Sequence, residues 1–339
     1  MPLSIHIARP LRTGTICRTV ALCMLAMGAS KLPAQDIHFS QIDINPVLYN
    51  PAYCGFFDGD GRFGAIYRNQ WATVSTPFQT IAATAELPIV HGKGYTSGLN
   101  GGAILSADRA GTLGYGTTAL QGIVSYFLSL SGHNDNMLSF AVQGGLCQSG
   151  FDDTDIELTD GAENFDRTRV VYPTIGAGVA WFKQIGTSAS LKVGVAALNL
   201  NQPHTSYLNN ELTMLSRRFN AYVRGEYEAW SSISLMPVVG YQHQGQYNEL
   251  VYGIDVRWYL NESARNYLAL TGGITMRHSD AAVITFAVER GPFTFALSYD
   301  ANTSRLAQAS HTIGSFEVGV IYRIIKPQAR YRQLPCPII

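Results

Sequence analysis

Charge is scarce in this sequence. Charged residues make up 14% of its 339 positions, against a usual share of ~25% in soluble domains. Neither sign dominates, because 24 Lys and Arg face 24 Asp and Glu. Binding to nucleic acid draws its affinity from an excess of cations against phosphate, so the balance argues against that class. Beyond the first 34 positions no run approaches the ~20 apolar residues of a spanning helix. Cysteine is sparse as well: Cys54, Cys147 and Cys336 are all that follow position 34, an odd count that makes no disulfide framework. No G-x-S-x-G elbow and no H-E-x-x-H pair occurs, so the common hydrolase and zinc-protease signatures are missing. What remains is 46% apolar residues, 11% aromatics and 33 glycines. Such a chain is too apolar for disorder and too poor in charge for easy solubility. A β-barrel in a membrane suits it.

The amino-terminal stretch agrees. Arg9, Arg12 and Arg18 precede an apolar core, Val20 to Ala29, and then Leu32-Pro33-Ala34. A basic region, a short apolar core and a small residue describe a secretory leader cut after Ala34. The core is too short for a membrane anchor.

Alternation of period two recurs after the leader, as strands with two unlike faces require. In the clearest case Leu250, Tyr252, Ile254, Val256, Trp258 and Leu260 share one face, while Asp255 and Arg257 lie on the other. The last such segment repeats it, with Phe316, Val318, Val320, Tyr322 and Ile324 opposite Glu317 and Arg323. Comparable segments start near Phe63, Phe78, Gly98, Thr112, Met137, Val170, Ala189, Phe219, Ile233, Tyr267, Ala281 and Phe293. The expectation is an all-β fold, a transmembrane antiparallel barrel of about fourteen strands with a short irregular N-terminal segment. Charges on the inward faces (Arg62 and Arg68; Arg224, Glu226 and Glu228; Asp255 and Arg257) point to a polar lumen. The longest connectors, about 149–168, 201–218 and 301–312, follow odd-numbered strands, where external loops belong. The expected layout is a leader at 1–34, a periplasmic segment at 35–61, the barrel at 62–325 and a periplasmic tail at 326–339.

Few residues suggest chemistry. His204, His243, His278 and His311 fall in or beside expected external loops, with no metal-ligand spacing. Asp153, Asp155 and Glu157 begin like a calcium loop, yet Leu158 stands where the sharp-turn glycine belongs. No catalytic, metal or cofactor site is assigned. The segment before the first strand is different. It contains Gln41, then Asn45-Pro46, Tyr49, and Asn50-Pro51 with Tyr53. Two Asn-Pro steps cannot sit in a helix interior or a central strand, so this backbone is shaped and irregular. It serves either as a seal at the periplasmic mouth or as a docking surface for a partner.

These residues carry a resemblance. QDIHFSQIDINPVLYNPAYCG after Ala34, RFGAIYRNQW at Arg62–Trp71, FQTIAATAELP at Phe78–Pro88, ALNLNQPH at Ala197–His204 and the Cys336-Pro337 ending resemble the PorP/SprF family of Bacteroidetes outer-membrane proteins. Cys54 departs from the small residue usual after the Asn-Pro-Ala-Tyr run. The resemblance implies a barrel of the type IX secretion and gliding-motility machinery, linked to surface retention of cargo with a C-terminal sorting domain and to periplasmic machine components. The preorganised Asn-Pro backbone and its aromatic anchors make Gln41, Asn45, Pro46, Tyr49, Asn50, Pro51 and Tyr53, with Arg68, Asn69, Gln70 and Trp71, the candidate partner-binding set. The protein is then expected to be a non-enzymatic outer-membrane barrel with both termini periplasmic. A diffusion channel or hydrophobic-solute transporter is the alternative, and an open or filled lumen separates the two.

Overall fold

The computed structural model of the protein describes residues 36–70, 76–91, 96–111, 114–131, 135–151, 168–207, 213–263, 267–303 and 313–325. They hold fourteen strands: β1 (Gly61–Gln70), β2 (Phe78–His91), β3 (Ser97–Ala110), β4 (Tyr115–Ser129), β5 (Asn136–Gly150), β6 (Arg169–Ile185), β7 (Ala189–Leu198), β8 (Arg218–Trp230), β9 (Ile233–Gln244), β10 (Tyr247–Asn261), β11 (Leu268–Arg277), β12 (Ala281–Arg290), β13 (Phe293–Asn302) and β14 (Ile313–Ile324). Each pairs antiparallel with its neighbours in sequence. The ring closes where β1 meets β14, from Gly61 opposite Ile324 to Gln70 opposite Ser315. Closure satisfies every strand edge, which a sheet in hydrocarbon requires.

Alternation decides which face is which. On β10 the residues Tyr252, Ile254, Val256 and Trp258 are exposed on the outer wall, whereas Asp255 and Arg257 are buried inside. On β14 Phe316, Val318 and Tyr322 face outward, with Glu317 and Arg323 buried within. The expected fourteen-strand barrel is what the chain forms. The fourth strand, expected near Thr112, starts at Tyr115. The mouths differ: 151–168, 199–217 and 303–312 all leave one end, while 186–188, 231–232 and 291–292 turn tightly at the other. At the long-connector mouth Leu215 folds inward onto Ala119, Cys147, Val170 and Tyr172.

The sequence leaves an open or a filled lumen as alternatives, and it is the placing of the N-terminal segment that departs from expectation. Residues 35–61 were expected beside a mouth, yet residues 36–57 run along the inside of the barrel. Asp36 bonds to Gln244 and Asn199, at the ends of β9 and β7 and so at the long-connector mouth. Asp60 donates to the Ile324 carbonyl at the opposite mouth, where β1 begins. The physical reason is apolar burial. Val47, Ala52, Tyr53 and Phe56 pack with Ile104, Ile123, Phe127, Met137 and Phe182 of the wall, a surface too apolar to leave against water. The lumen is polar, as expected, but filled.

The face assignment is testable by placing a cation. Ile254→Arg should lose ~2–4 kcal/mol of barrel stability near the bilayer midplane, read by urea titration of refolding into lipid. Val251→Arg, on the lumen side of the same strand, should lose much less. Equal losses would refute the assignment.

Candidate functional site

The segment is built from three single 3-10 turns, Ile42–Ile44, Pro46–Leu48 and Pro51–Tyr53. Each proline opens a turn, where its missing N–H costs nothing and its fixed φ is already suitable. Each asparagine precedes a turn in a non-helical conformation. Asn50 caps the third turn, its Oδ1 accepting from Ala52 N at 2.9 Å. The same side chain donates from Nδ2 to the main-chain carbonyls of Val179 (3.0 Å) and Val195 (3.2 Å), so one amide closes a turn and bridges β6 to β7. Asn45 accepts from the Thr84 hydroxyl at 2.8 Å. Tyr49 folds back on its own segment, its hydroxyl accepting from Phe39 N at 2.8 Å and donating to the Phe39 carbonyl. Tyr53 meets Tyr222 edge-on at 6.3 Å between centroids and lies under the Lys192 ammonium.

The wall is shaped to match. Gly178 and Gly194 face inward on β6 and β7. A Cβ on Gly178 would overlap Asn50 Oδ1, and one on Gly194 would overlap the Tyr53 hydroxyl. Glycine is needed here for close approach of the segment.

Charge fixes the segment at both ends. Near the long-connector mouth Arg68 pairs with Glu317 (2.8 Å) and Asp300 (3.4 Å), and Arg277 also reaches Asp300 (2.9 Å). Glu317 then accepts from the main-chain N–H of Ser40 (2.8 Å) and Gln41 (3.1 Å). Near the other mouth Arg62 pairs with Glu86 at 2.6 Å and donates to the carbonyls of Asp43 and Ile44, each at 2.8 Å. Midway, Arg224 bridges Asp43 of the segment to Asp255 of the wall, at 2.7 Å to each.

Of the candidate set, Gln41, Asn45, Pro46, Tyr49, Asn50, Pro51, Tyr53 and Arg68 come together in this one buried assembly. Gln70 lies at its edge, accepting from Arg68 at 3.4 Å. Asn69 does not join, because alternation turns it outward beside the Tyr67 hydroxyl. Trp71 lies outside the described residues, as do the 152–167 acidic loop and the 326–339 tail. Glu86, Glu317, Asp300, Arg277 and Asn220 complete the site and were not singled out from the sequence. Inward alternation was the available signal, and it marked Glu317 as lumenal without naming its partner. Among the described residues no group of His, Cys, Asp and Glu could hold a metal.

A family model described as type IX secretion system membrane protein PorP/SprF matches residues 32–322. The chain belongs to the PorP/SprF family. No curated protein matches it. Among solved structures it is similar to a FadL homologue of Pseudomonas aeruginosa, at 8% identity over 80% of this chain and 92% of that one, with a TM-score of 0.48. It is also similar to an outer membrane channel of Pseudomonas putida F1, at 14% identity over 78% and 95%, with a TM-score of 0.39. This PorP/SprF barrel is therefore an outer-membrane component of a secretion system whose lumen holds its own N-terminal segment.

Cys54 reports on that segment. It is a buried free thiol, and burial together with the nearby Glu86 carboxylate pushes it well above the ordinary thiol range. In the folded protein it should resist alkylation at pH 8.5, where an exposed thiol is about half ionised. Gly178→Val and Gly194→Val should each dislodge the segment and make Cys54 react at least tenfold faster, with the barrel still heat-resistant in detergent. Val195→Ile, on the outer face of the same strand, should change nothing. Mass spectrometry of the alkylated peptide reads the result, and an unreactive Cys54 in both glycine variants would contradict the packing described.

Proposed function

We propose that this barrel is a non-enzymatic anchor of the type IX secretion machinery, retaining secreted cargo and contacting machine subunits in the periplasm. One observation carries the reading: the lumen is occupied by residues 36–57, tied to the wall along their whole length. A conduit needs an open polar path, and a filled barrel instead offers rigid mouths. In this reading the mouth bearing 151–168 and 199–217 faces outward, as long connectors do in such barrels, and the strand end at Ile325 faces the periplasm. Asp36 then lies toward the outward mouth, opposite the strand ends that the tail continues. Partners meet the mouths and connectors, and the segment Gln41–Tyr53 with Arg68 acts as the preorganised support that fixes their shape.

The support can be loosened without touching the outer wall. Replacing Asn45-Pro46 and Asn50-Pro51 by Ala-Ala pairs should leave a barrel that inserts, while cargo display and recovery of machine subunits by pull-down fall severalfold. A variant that inserts and keeps every partner would count against this role. In planar bilayers the unaltered protein should show no steady conductance, and sustained ion flow would favour the channel alternative.

A further inference from the structure

Much of the wall's hold on the segment is through its main chain. Glu317 accepts from two successive main-chain N–H groups, at Ser40 and Gln41, and Glu86 accepts from Gly55 N at 3.2 Å. Arg62 donates to two successive carbonyls, at Asp43 and Ile44, and Asn220 donates to the Tyr49 carbonyl at 2.7 Å. At the third turn Ser125 donates to the Cys54 carbonyl at 2.7 Å. Main-chain groups are common to every peptide, so this wall suits a polypeptide, and contacts to the segment's side chains add selection. Those contacts include Asn45 with Thr84, Asn50 with its two carbonyls, Tyr53 in the Gly194 recess, Asp43 with Arg224, Gln41 with Ser298 and Ser40 with Asp300.

Two further features make the occupant separable from the barrel. First, the charges that grip it have partners within the wall: Glu317 with Arg68, and Arg62 with Glu86. Vacating the lumen therefore leaves these four charges paired, while Arg218, which donates to the Ile37 carbonyl, keeps the side-chain oxygens of Gln242 and Asn220. Second, the β1–β14 seam closes entirely between strand residues. The segment is joined covalently only through residues 58–60, at the mouth where Asp60 N donates to the Ile324 carbonyl at 2.7 Å.

We propose that the lumen is a peptide-binding site. Its ligand is a polypeptide folded in short 3-10 turns, with two Asn-Pro steps five residues apart and a tyrosine three residues after the second asparagine. Residues 36–57 are the ligand bound in cis. The inference goes beyond the anchoring reading and does not rest on it.

The test uses the full-length protein with a protease site placed within 58–60. The protein is folded, nicked and offered a fluorescent synthetic peptide of residues 36–57. The nicked barrel should take up the peptide saturably, the uncut barrel should take up none, and a peptide carrying Asn45→Ala and Asn50→Ala should bind at least tenfold more weakly. If the cleaved segment stays bound, a urea pulse that leaves the strands intact removes it, and uptake is measured on the emptied barrel. An emptied barrel that binds no peptide overturns the proposal. So does a barrel that unfolds as the segment leaves, or one that binds both peptides equally. Because the readout is on purified protein without cargo, failure here is separate from failure of cargo display in cells.

Discussion

Fourteen strands closed into a ring enclose more space than their inward side chains can fill. A ring of about eight strands is filled by its own side chains, and one of sixteen or more leaves an aqueous channel. This chain lies between those limits and supplies the missing volume from its own N-terminal segment. The apolar third turn packs against β4 to β7 through Tyr53 and Phe56, while Ile44 packs toward β1 and β14 with Ile66 and Ile321. Filling is uneven. A cavity of about 80 Å³ remains between the segment and the opposite wall, bordered by Asp43, Arg224, Asp255 and Thr271, large enough for a few water molecules.

The low overall charge is part of the same solution. Outward positions must be apolar, so the charge the chain carries is concentrated on inward faces and at the ends of strands. Inside, each guanidinium would be costly if left alone, and the barrel answers with linked pairs such as Arg68–Glu317 and Arg257–Glu289 at 3.0 Å. The carboxylates of these pairs have lone pairs to spare, and Glu317 and Glu86 use theirs to bind the segment's N–H groups. Pairing that stabilises the wall thus also orients the occupant.

The barrel was legible in the sequence because period-two alternation is local. Tyr252, Ile254 and Trp258 announce a lipid face, and Asp255 and Arg257 a lumen, without reference to any other strand. The Asn-Pro steps likewise announced irregular, shaped backbone before β1. Their destination was not legible. Nothing in residues 41–53 states that Asn50 bridges Val179 to Val195, because those carbonyls belong to strands more than a hundred positions away and become neighbours only on closure. The same holds for Glu317, whose role depends on Arg68 meeting it across the β1–β14 seam. Gly178 and Gly194 read as ordinary strand glycines until the segment is seen against them. Asn69 was grouped with Arg68 by adjacency, and the alternation of β1 separates them.

The central claim is that residues 36–57 are an ordered part of the lumen. Amide hydrogen exchange on the unaltered protein in lipid, followed by mass spectrometry, tests it most directly. The N–H groups of Ser40, Gln41, Ala52 and Tyr53 are all bonded inside the barrel. Peptides covering 39–57 should therefore exchange as slowly as those from β4 to β7. Exchange at the rate of an unstructured chain, with the strands still protected, would contradict the account.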